Sequence, residues 1–380
     1  IAWLAASGLM MGAMRLAVTR VAANWRRNGR LGRRVALLGT TEGAVDFMAH
    51  LRPGPADELQ ILGCYEDEAP GNEDEAPRNE DKAHRNPGQR RASGERLRHP
   101  DLPYLGSVRE LIAQGQRGEV DAVVITLPAD EPVRIEQASA VLASMTVDLY
   151  VCHHLKAPPR PVAQLGGVPV AVLSRRPLSE WQVVQKRLFD LLGSAVLILG
   201  LSPLLLLLAL IVKLDSGGPV LFRQMRIGFN NLPFICLKFR TMHHHAADAL
   251  ADRQTTRDDP RVTTAGRWMR RLSLDELPQL VNVLRGEMSL VGPRPHAPNT
   301  RAGGQFFANA VREYALRHRV KPGITGWAQV NGWRGETTTV EQIEQRVRHD
   351  LHYIQNWSLT LDLRILLMTA LRGFGGPQAF

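Results

Sequence analysis

Twenty-two consecutive residues, Leu191 to Val212, carry no charged side chain, and Ser202-Pro203 interrupts them near the middle. As a helix at ~1.5 Å per residue the run reaches ~33 Å, enough for a hydrocarbon core of ~30 Å. Its flanks oppose a simple crossing. Lys186 and Arg187 precede it, and Lys213, Arg223 and Arg226 follow, so the bias that keeps basic residues in the cytoplasm applies at both ends. A span satisfies only one of them. A re-entrant helical hairpin over residues 187–213 satisfies both, because proline removes a backbone donor at the bend and Ser202 can satisfy a carbonyl freed there. The hairpin is therefore the expectation, and a kinked span is the alternative.

A length of 380 residues predicts two or three domains. The formal net charge of +10 suits nucleic acid, an anionic membrane surface or phosphorylated substrates; the apolar run favours the last two, so no nucleic-acid partner is expected. Cys64, Cys152 and Cys236 lack metal-ligand spacing and fit a reducing compartment. Residues 1–33 begin without methionine, run apolar to Val18 apart from Arg15 and lead through Arg26, Arg27 and Arg30 to Arg33, which adjoins Arg34, as expected of the inner end of a truncated transmembrane helix with a basic cytoplasmic flank.

Between residues 34 and 155 strand and helix signals alternate: apolar runs at Val35 to Leu38, Leu59 to Cys64, Val120 to Leu127 and Val147 to Val151, with a helix near Ile135 to Ser144. Alternation of this kind predicts a parallel sheet, here a small Rossmann-like domain. Its loop Gly39-Thr40-Thr41-Glu42-Gly43 lacks the G-x-G-x-x-G spacing and no acidic ribose ligand follows, so the domain reads as structural or regulatory. Residues 66–98 hold a polar near-repeat that cannot bury an apolar face and read as a disordered insertion. Residues 156–184, rich in proline, read as a linker.

Beyond the apolar run come Lys238-Phe239-Arg240-Thr241-Met242, Asp258-Asp259-Pro260-Arg261, Arg270-Arg271, Ser273-Leu274-Asp275-Glu276-Leu277-Pro278, and Gly292-Pro293-Arg294-Pro295. In this order they resemble the catalytic domain of the bacterial polyprenyl-phosphate sugar-1-phosphate transferases over about Gln185 to Phe374, and the domains ahead resemble the large-form members. The fold expected is thus α/β: a Rossmann-like domain followed by a mainly α, membrane-associated catalytic domain over residues 185–380 with the re-entrant hairpin.

The resemblance implies that Asp275 is the nucleophile of an Asp-Glu dyad. It would form a covalent phosphosugar intermediate, release UMP from a UDP-sugar and pass the sugar phosphate to undecaprenyl phosphate, the first membrane step of exopolysaccharide or capsule synthesis. Glu276, with Asp275, would hold Mg2+, while Lys238, Arg240 and Arg270 would neutralise phosphate charge. Arg294, between Pro293 and Pro295, would lie near the nucleotide, where its planar fork suits phosphate oxygens. The site would face the cytoplasm from the bacterial inner membrane, against membrane lipids; self-association is left open. Glucose is the sugar implied, through Asn331-Gly332-Trp333-Arg334-Gly335-Glu336-Thr337 and Asn356-Trp357-Ser358-Leu359, with galactose its competitor. A non-catalytic scaffold and a glycosyltransferase releasing UDP are the rival functions.

Other readings stay local. Ser273-x-x-Glu276 is also a capping box. Asp258 and Asp259 read as a solvated loop. Glu287 stands where the family often has aspartate. Three consecutive histidines, His243 to His245, cannot all face one ion on a regular element. Arg312, Arg317, His318, Arg319 and Lys321 read as a solvated or lipid-facing basic stretch, and Leu361 to Phe374 as an interfacial helix with Trp357 at its edge or as a packed core helix.

Overall fold

The computed structural model describes residues 32–52, 59–67, 102–128, 130–143, 145–152, 162–244, 259–302, 304–311, 313–335 and 339–372. The expected truncated helix, nearly all of the polar insertion, His245, Asp258 and Arg312 lie outside the described residues. The chain forms two compact units, one of residues 1–142 with 147–175 and the other of 143–146 with 176–380.

The first unit is built on strands β1 (Arg33–Gly39), β2 (Leu59–Glu66), β3 (Tyr104–Ser107), β4 (Ala122–Thr126) and β5 (Asp148–Val151), all parallel where they pair. Helices α1 (Thr41–His50), α2 (Val108–Gln116) and α3 (Pro132–Leu142) make the crossovers. Val35, Leu37, Ala122 and Val124 are completely buried with Phe47 of α1, as continuous apolar runs require when a sheet is covered on both faces.

The expected linker is corrected here. Residues 162–174 form an antiparallel hairpin, β6 (Val162–Leu165) and β7 (Val168–Ser174), that extends the sheet to the order β3-β2-β1-β4-β5-β7-β6. Its turn is Gly166-Gly167, both at positive φ (57° and 80°), the conformation a two-residue hairpin turn needs.

In the second unit α4 (Glu180–Asp215) is helical throughout, Pro203 included. Ser179 and Gln182 close a capping box at its start. Pro203 cannot donate to the carbonyl of Leu199, four residues back, and Ser202 Oγ donates to that carbonyl at 2.8 Å. Among the described residues this is the one helix long and apolar enough to cross a membrane. Leu192, Leu199, Leu206, Leu207, Leu210 and Leu214 are exposed along it; each such side chain gains roughly 1.5–3 kcal/mol in an apolar medium.

Around α4 stand an antiparallel hairpin, β8 (Leu221–Ile227) and β9 (Pro233–Phe239), then helices α5 (Thr264–Arg271) and α6 (Gln279–Arg285). Strand β10 (Ser289–Val291) pairs in parallel with β11 (Gly323–Thr325), and the chain closes with α7 (Val340–Gln355) and α8 (Leu359–Arg372). The unit is mainly α, as expected, with β9 and β10 supplying part of the framework of its site. Asp362 of α8, fully buried, accepts from Lys186 Nζ (2.8 Å), Tyr353 Oη (2.7 Å) and Trp357 Nε1 (3.2 Å), tying the start of α4 to α7 and α8. Trp357 is therefore a core residue, while Leu363, Leu367 and Leu371 form the exposed stripe of α8.

Candidate active site

Asp275 and Glu276 lie in a single 3-10 turn, Leu274–Glu276, between α5 and α6. Ser273 enters it at φ 57°, a left-handed conformation unusual for a residue with a β-carbon. The capping box does not form: Ser273 makes no cap hydrogen bond, and its Oγ instead accepts from Arg334 Nη2. No α-helix starts at this point, so the Glu276 side chain is free to turn elsewhere.

It turns to two cations. Lys238 Nζ donates to Glu276 Oε1 at 2.9 Å; Arg294 donates from Nη2 to Oε1 at 2.6 Å and from Nη1 to Oε2 at 3.0 Å, a bidentate fork. Burial pushes the Glu276 carboxyl up, but Arg294 and Lys238 outweigh it and hold the group well below the usual range. Asp275, 7% exposed, behaves oppositely: burial and then the neighbouring Glu276 charge push it up, against the pull of Lys238, Arg270 and Arg294. Among the described residues none donates a hydrogen bond to its carboxylate. One acid of the pair is thus a fixed anion in a cationic clamp, and the other is a carboxylate with unengaged lone pairs.

The framework explains why these groups meet. Asn282 of α6 accepts from Leu237 N (3.0 Å), donates to Ile235 O (2.7 Å) and donates to Glu287 Oε2 (2.6 Å), which locks β9, and with it Lys238, against α6. The Pro-Arg-Pro segment is pinned through its carbonyls: Pro293 O accepts from Gly323 N (2.9 Å), Arg294 O from Arg317 Nη2 (2.8 Å) and Pro295 O from Arg226 Nη1 (2.7 Å). Arg317 is buried in an ion pair with Asp350 at 2.6 Å. Gly292 and Gly323 let β10 and β11 approach this closely; a β-carbon on Gly323 would lie 2.0 Å from Gly292 N.

Of the expected residues, Lys238 and Arg294 contact Glu276 directly, and Arg270 is near enough for Asp275 to be the main charge opposing the burial that lowers its pKa. Arg270 Nε donates to Thr241 Oγ1 at 2.8 Å. Arg240 does not join them. It lies just past the end of β9 and donates to Ser216 O (2.7 Å), Ser216 Oγ (3.0 Å) and Val212 O (3.4 Å), capping the carbonyl end of α4. Two further cations reach the site: Arg334, pushed down by burial and by Arg294, and Arg226, pushed down by burial with Arg294 adding to the effect. Arg226 stood in the sequence as a helix flank and Arg334 inside a motif read for sugar choice, so only their side-chain directions could have placed them.

Two local readings change. Asp259 is buried and paired with Arg261, whose hydrogen bonds bring it down to about 2, so it is no solvated loop carboxylate. Arg317 and His318 are buried, which removes the centre of the supposed lipid-facing stretch. His243 and His244 are exposed and belong to no cluster of three metal-binding side chains among the described residues.

Comparison with known proteins follows the same division of the chain. Residues 181–376 match the family described as bacterial sugar transferase, and residues 1–152 match a family described as CoA-binding domain. Undecaprenyl-phosphate glucose phosphotransferase of Komagataeibacter xylinus is 43% identical over 92% of this chain, which spans 61% of that relative's length. UDP-glucose:undecaprenyl-phosphate glucose-1-phosphate transferase of Escherichia coli K12 is 36% identical over 100% of this chain and 76% of its own. UDP-N-acetylgalactosamine-undecaprenyl-phosphate N-acetylgalactosaminephosphotransferase of Aeromonas hydrophila is 42% identical over 50% of this chain and 44% of its own.

Proposed function

The chain belongs to the bacterial sugar transferase family, and on that premise we propose that it moves a hexose-1-phosphate, glucose-1-phosphate first, from a UDP-sugar to undecaprenyl phosphate at the cytoplasmic face of the bacterial inner membrane. The observation that carries this reading is the split dyad, Asp275 unengaged beside a Glu276 already neutralised by Lys238 and Arg294. In the first step an Asp275 oxygen bonds to the phosphorus bearing the sugar, the bridging P–O bond breaks, and UMP leaves with the electron pair. In the second a phosphate oxygen of the lipid attacks that phosphorus and returns Asp275 as a carboxylate. Arg226, Arg270, Arg294, Arg334 and Lys238 together offset the charge of a bound diphosphate.

Mg2+ takes one or two carboxylates together with substrate phosphate oxygens; Asp275 offers oxygens that accept no hydrogen bond among the described residues, whereas both Glu276 oxygens accept from Lys238 or Arg294, so Glu276 would join the ion only by giving up part of that clamp. These two residues would hold it, and when bound it neutralises diphosphate charge. The test is nucleotide release from a panel of UDP-sugars. Metal-dependent UMP release from one sugar is the expected result and identifies the donor; UDP release, or silence with every sugar in the presence of lipid acceptor, would overturn the reading.

The glucose assignment follows the names of two relatives, and the N-acetylgalactosamine relative marks sugar choice as the feature the panel must decide.

The hairpin form of α4 belongs to the same proposal. Its N-terminal stem is held by Arg187, donating to Val283 O (2.6 Å) and Leu284 O (2.7 Å), and by Asp190, accepting from Ser289 Oγ (2.9 Å). The C-terminal stem is held by Arg240, and Asn282 joins the two sets of supports. Both ends of α4 are thus anchored in the second unit. With the native cysteines buried, Glu180→Cys and Asp215→Cys are expected to react with an impermeant maleimide only from the cytoplasmic side; periplasmic labelling of either one would sink the hairpin.

A further inference from the structure

Arg346, His349 and Asp350 of α7 are spaced three and four residues apart, which puts them on one face of the helix. That face meets the two segments that carry Arg294 and Arg334. Asp350 pairs with Arg317, which donates to Arg294 O; His349 packs against Trp333, ring centroids 5.9 Å apart; and Arg346 Nη2 donates to Gly335 O at 3.1 Å. Arg334 stands between the last two contacts, and its own Nη2 donates to Ser273 Oγ at the entry of the Asp275 turn. Gly332 and Gly335 bracket it at positive φ (90° and 95°), where a residue without a β-carbon leaves the backbone free to move. Bonds from Gly332 N to Gln329 O (3.2 Å) and from Trp333 N to Ala328 O (3.0 Å) hold one side of Arg334, and Arg346 holds the other. The support is firm: Thr339 and Gln342 close a capping box at the start of α7, and Ile343, Val347 and Tyr353 are buried along it.

Stability does not account for Arg346. It is 6% exposed, and among the described residues its Nε has no partner and no carboxylate pairs with it, since Arg317 takes Asp350. Burial, then Arg317 and Arg294, push it down to about 10, so it stays charged at neutral pH, and a buried charge without a counter-ion costs stability. His296 lies between two arginines, with Arg317 Nη1 touching its Nδ1 and Arg346 Nη1 3.1 Å from its Nε2. Burial and the surrounding arginines hold this ring well below the usual range. It is therefore neutral and accepts at one nitrogen at a time; the bond from Arg346 to Gly335 O is independent of that choice. Resting on the transfer reading of the dyad, we propose that Arg346 is a positioning residue of the reaction: its fork, set between Gly335 O and His296, fixes Arg334 at the Ser273–Asp275 turn in register with Arg294. One helix face thus aligns both arginines ahead of the diphosphate they meet.

The test is Arg346→Lys in the full chain, which keeps the charge and loses the fork. It should lower kcat about 10^2-fold, the cost of misplacing a group by about 1 Å, with KM little changed. Hydrogen exchange should quicken at Trp333 to Gly335 while Ile343 to Tyr353 stay protected. Because Arg346 acts through Arg334, adding Arg346→Lys to Arg334→Gln should cost no more activity than Arg334→Gln alone. Native turnover in Arg346→Lys, or losses that multiply in the double variant, overturns the proposal. Loss of protection along α7 overturns it too, since Arg346 would then be a residue of the fold alone. A native protein that releases no UMP from any UDP-sugar, with the exchange pattern as expected, removes the transfer reading and leaves the support of Arg334 by Arg346 standing.

Discussion

Asp275→Asn should abolish turnover, with a fall of about 10^4-fold or more, because the amide keeps the shape of the side chain and loses the nucleophile. The variant should also lose the phosphosugar adduct that intact-mass analysis of the native chain, incubated with donor and no acceptor, is expected to reveal. Retained turnover, or an adduct surviving the substitution, would remove Asp275 from the role. Stability should move the other way. The folded pKa of Asp275 lies above its unfolded value, so the folded state binds more protons through that window and stability falls as pH rises through it. At neutral pH the charged group therefore costs stability, and Asp275→Asn should unfold at a higher temperature than the native chain. The advantage should vanish as pH drops below the ordinary aspartate range. The same upward shift places the acid limb of the native pH–rate profile above the value of an unperturbed aspartate.

The largest loss of stability is expected from Asp362→Ala. The substitution removes the acceptor for Lys186, Tyr353 and Trp357 together and leaves the Lys186 charge, itself 5% exposed, buried without its counter-ion. Breaking a buried pair in this way costs about 3–5 kcal/mol, which for a unit of this size lowers the midpoint of thermal unfolding by roughly 6–20 °C. Thermal unfolding in detergent measures it. Lys186→Met combined with Asp362→Leu should recover much of the loss, since the penalty arises from the stranded charge. A single substitution with no measurable effect would show that the foot of α4 is anchored by its apolar contacts instead.

Parallel strands were legible because each is a short apolar run between turn signals, as at Val35 to Leu38 and Val120 to Leu127. The β6–β7 hairpin was not, because proline upstream made the region look like a connection and strand pairing across Gly166-Gly167 is decided by the sheet edge it meets. In the candidate site, motif order pointed to Asp275, Glu276, Lys238 and Arg294, which the fold brings together. Arg240 differs from Lys238 by two positions, yet the carbonyl end of α4 claims it. Arg317 looked solvated because its partner, Asp350, lies 33 residues away in sequence. The capping box failed for a related reason: Glu276 had better partners in three dimensions than the backbone three residues behind it.

Asn282 meets β9 with an acceptor at Leu237 N and a donor at Ile235 O, the two bonds that one residue of a neighbouring parallel strand would make opposite Cys236. Among the described residues a single carboxamide thus stands in for a third strand of this sheet. The outer edge of β9 is closed at the place where another polypeptide could otherwise add itself, so the two-stranded sheet carrying Lys238 is held in place from that side by a side chain of α6 instead of by a third strand.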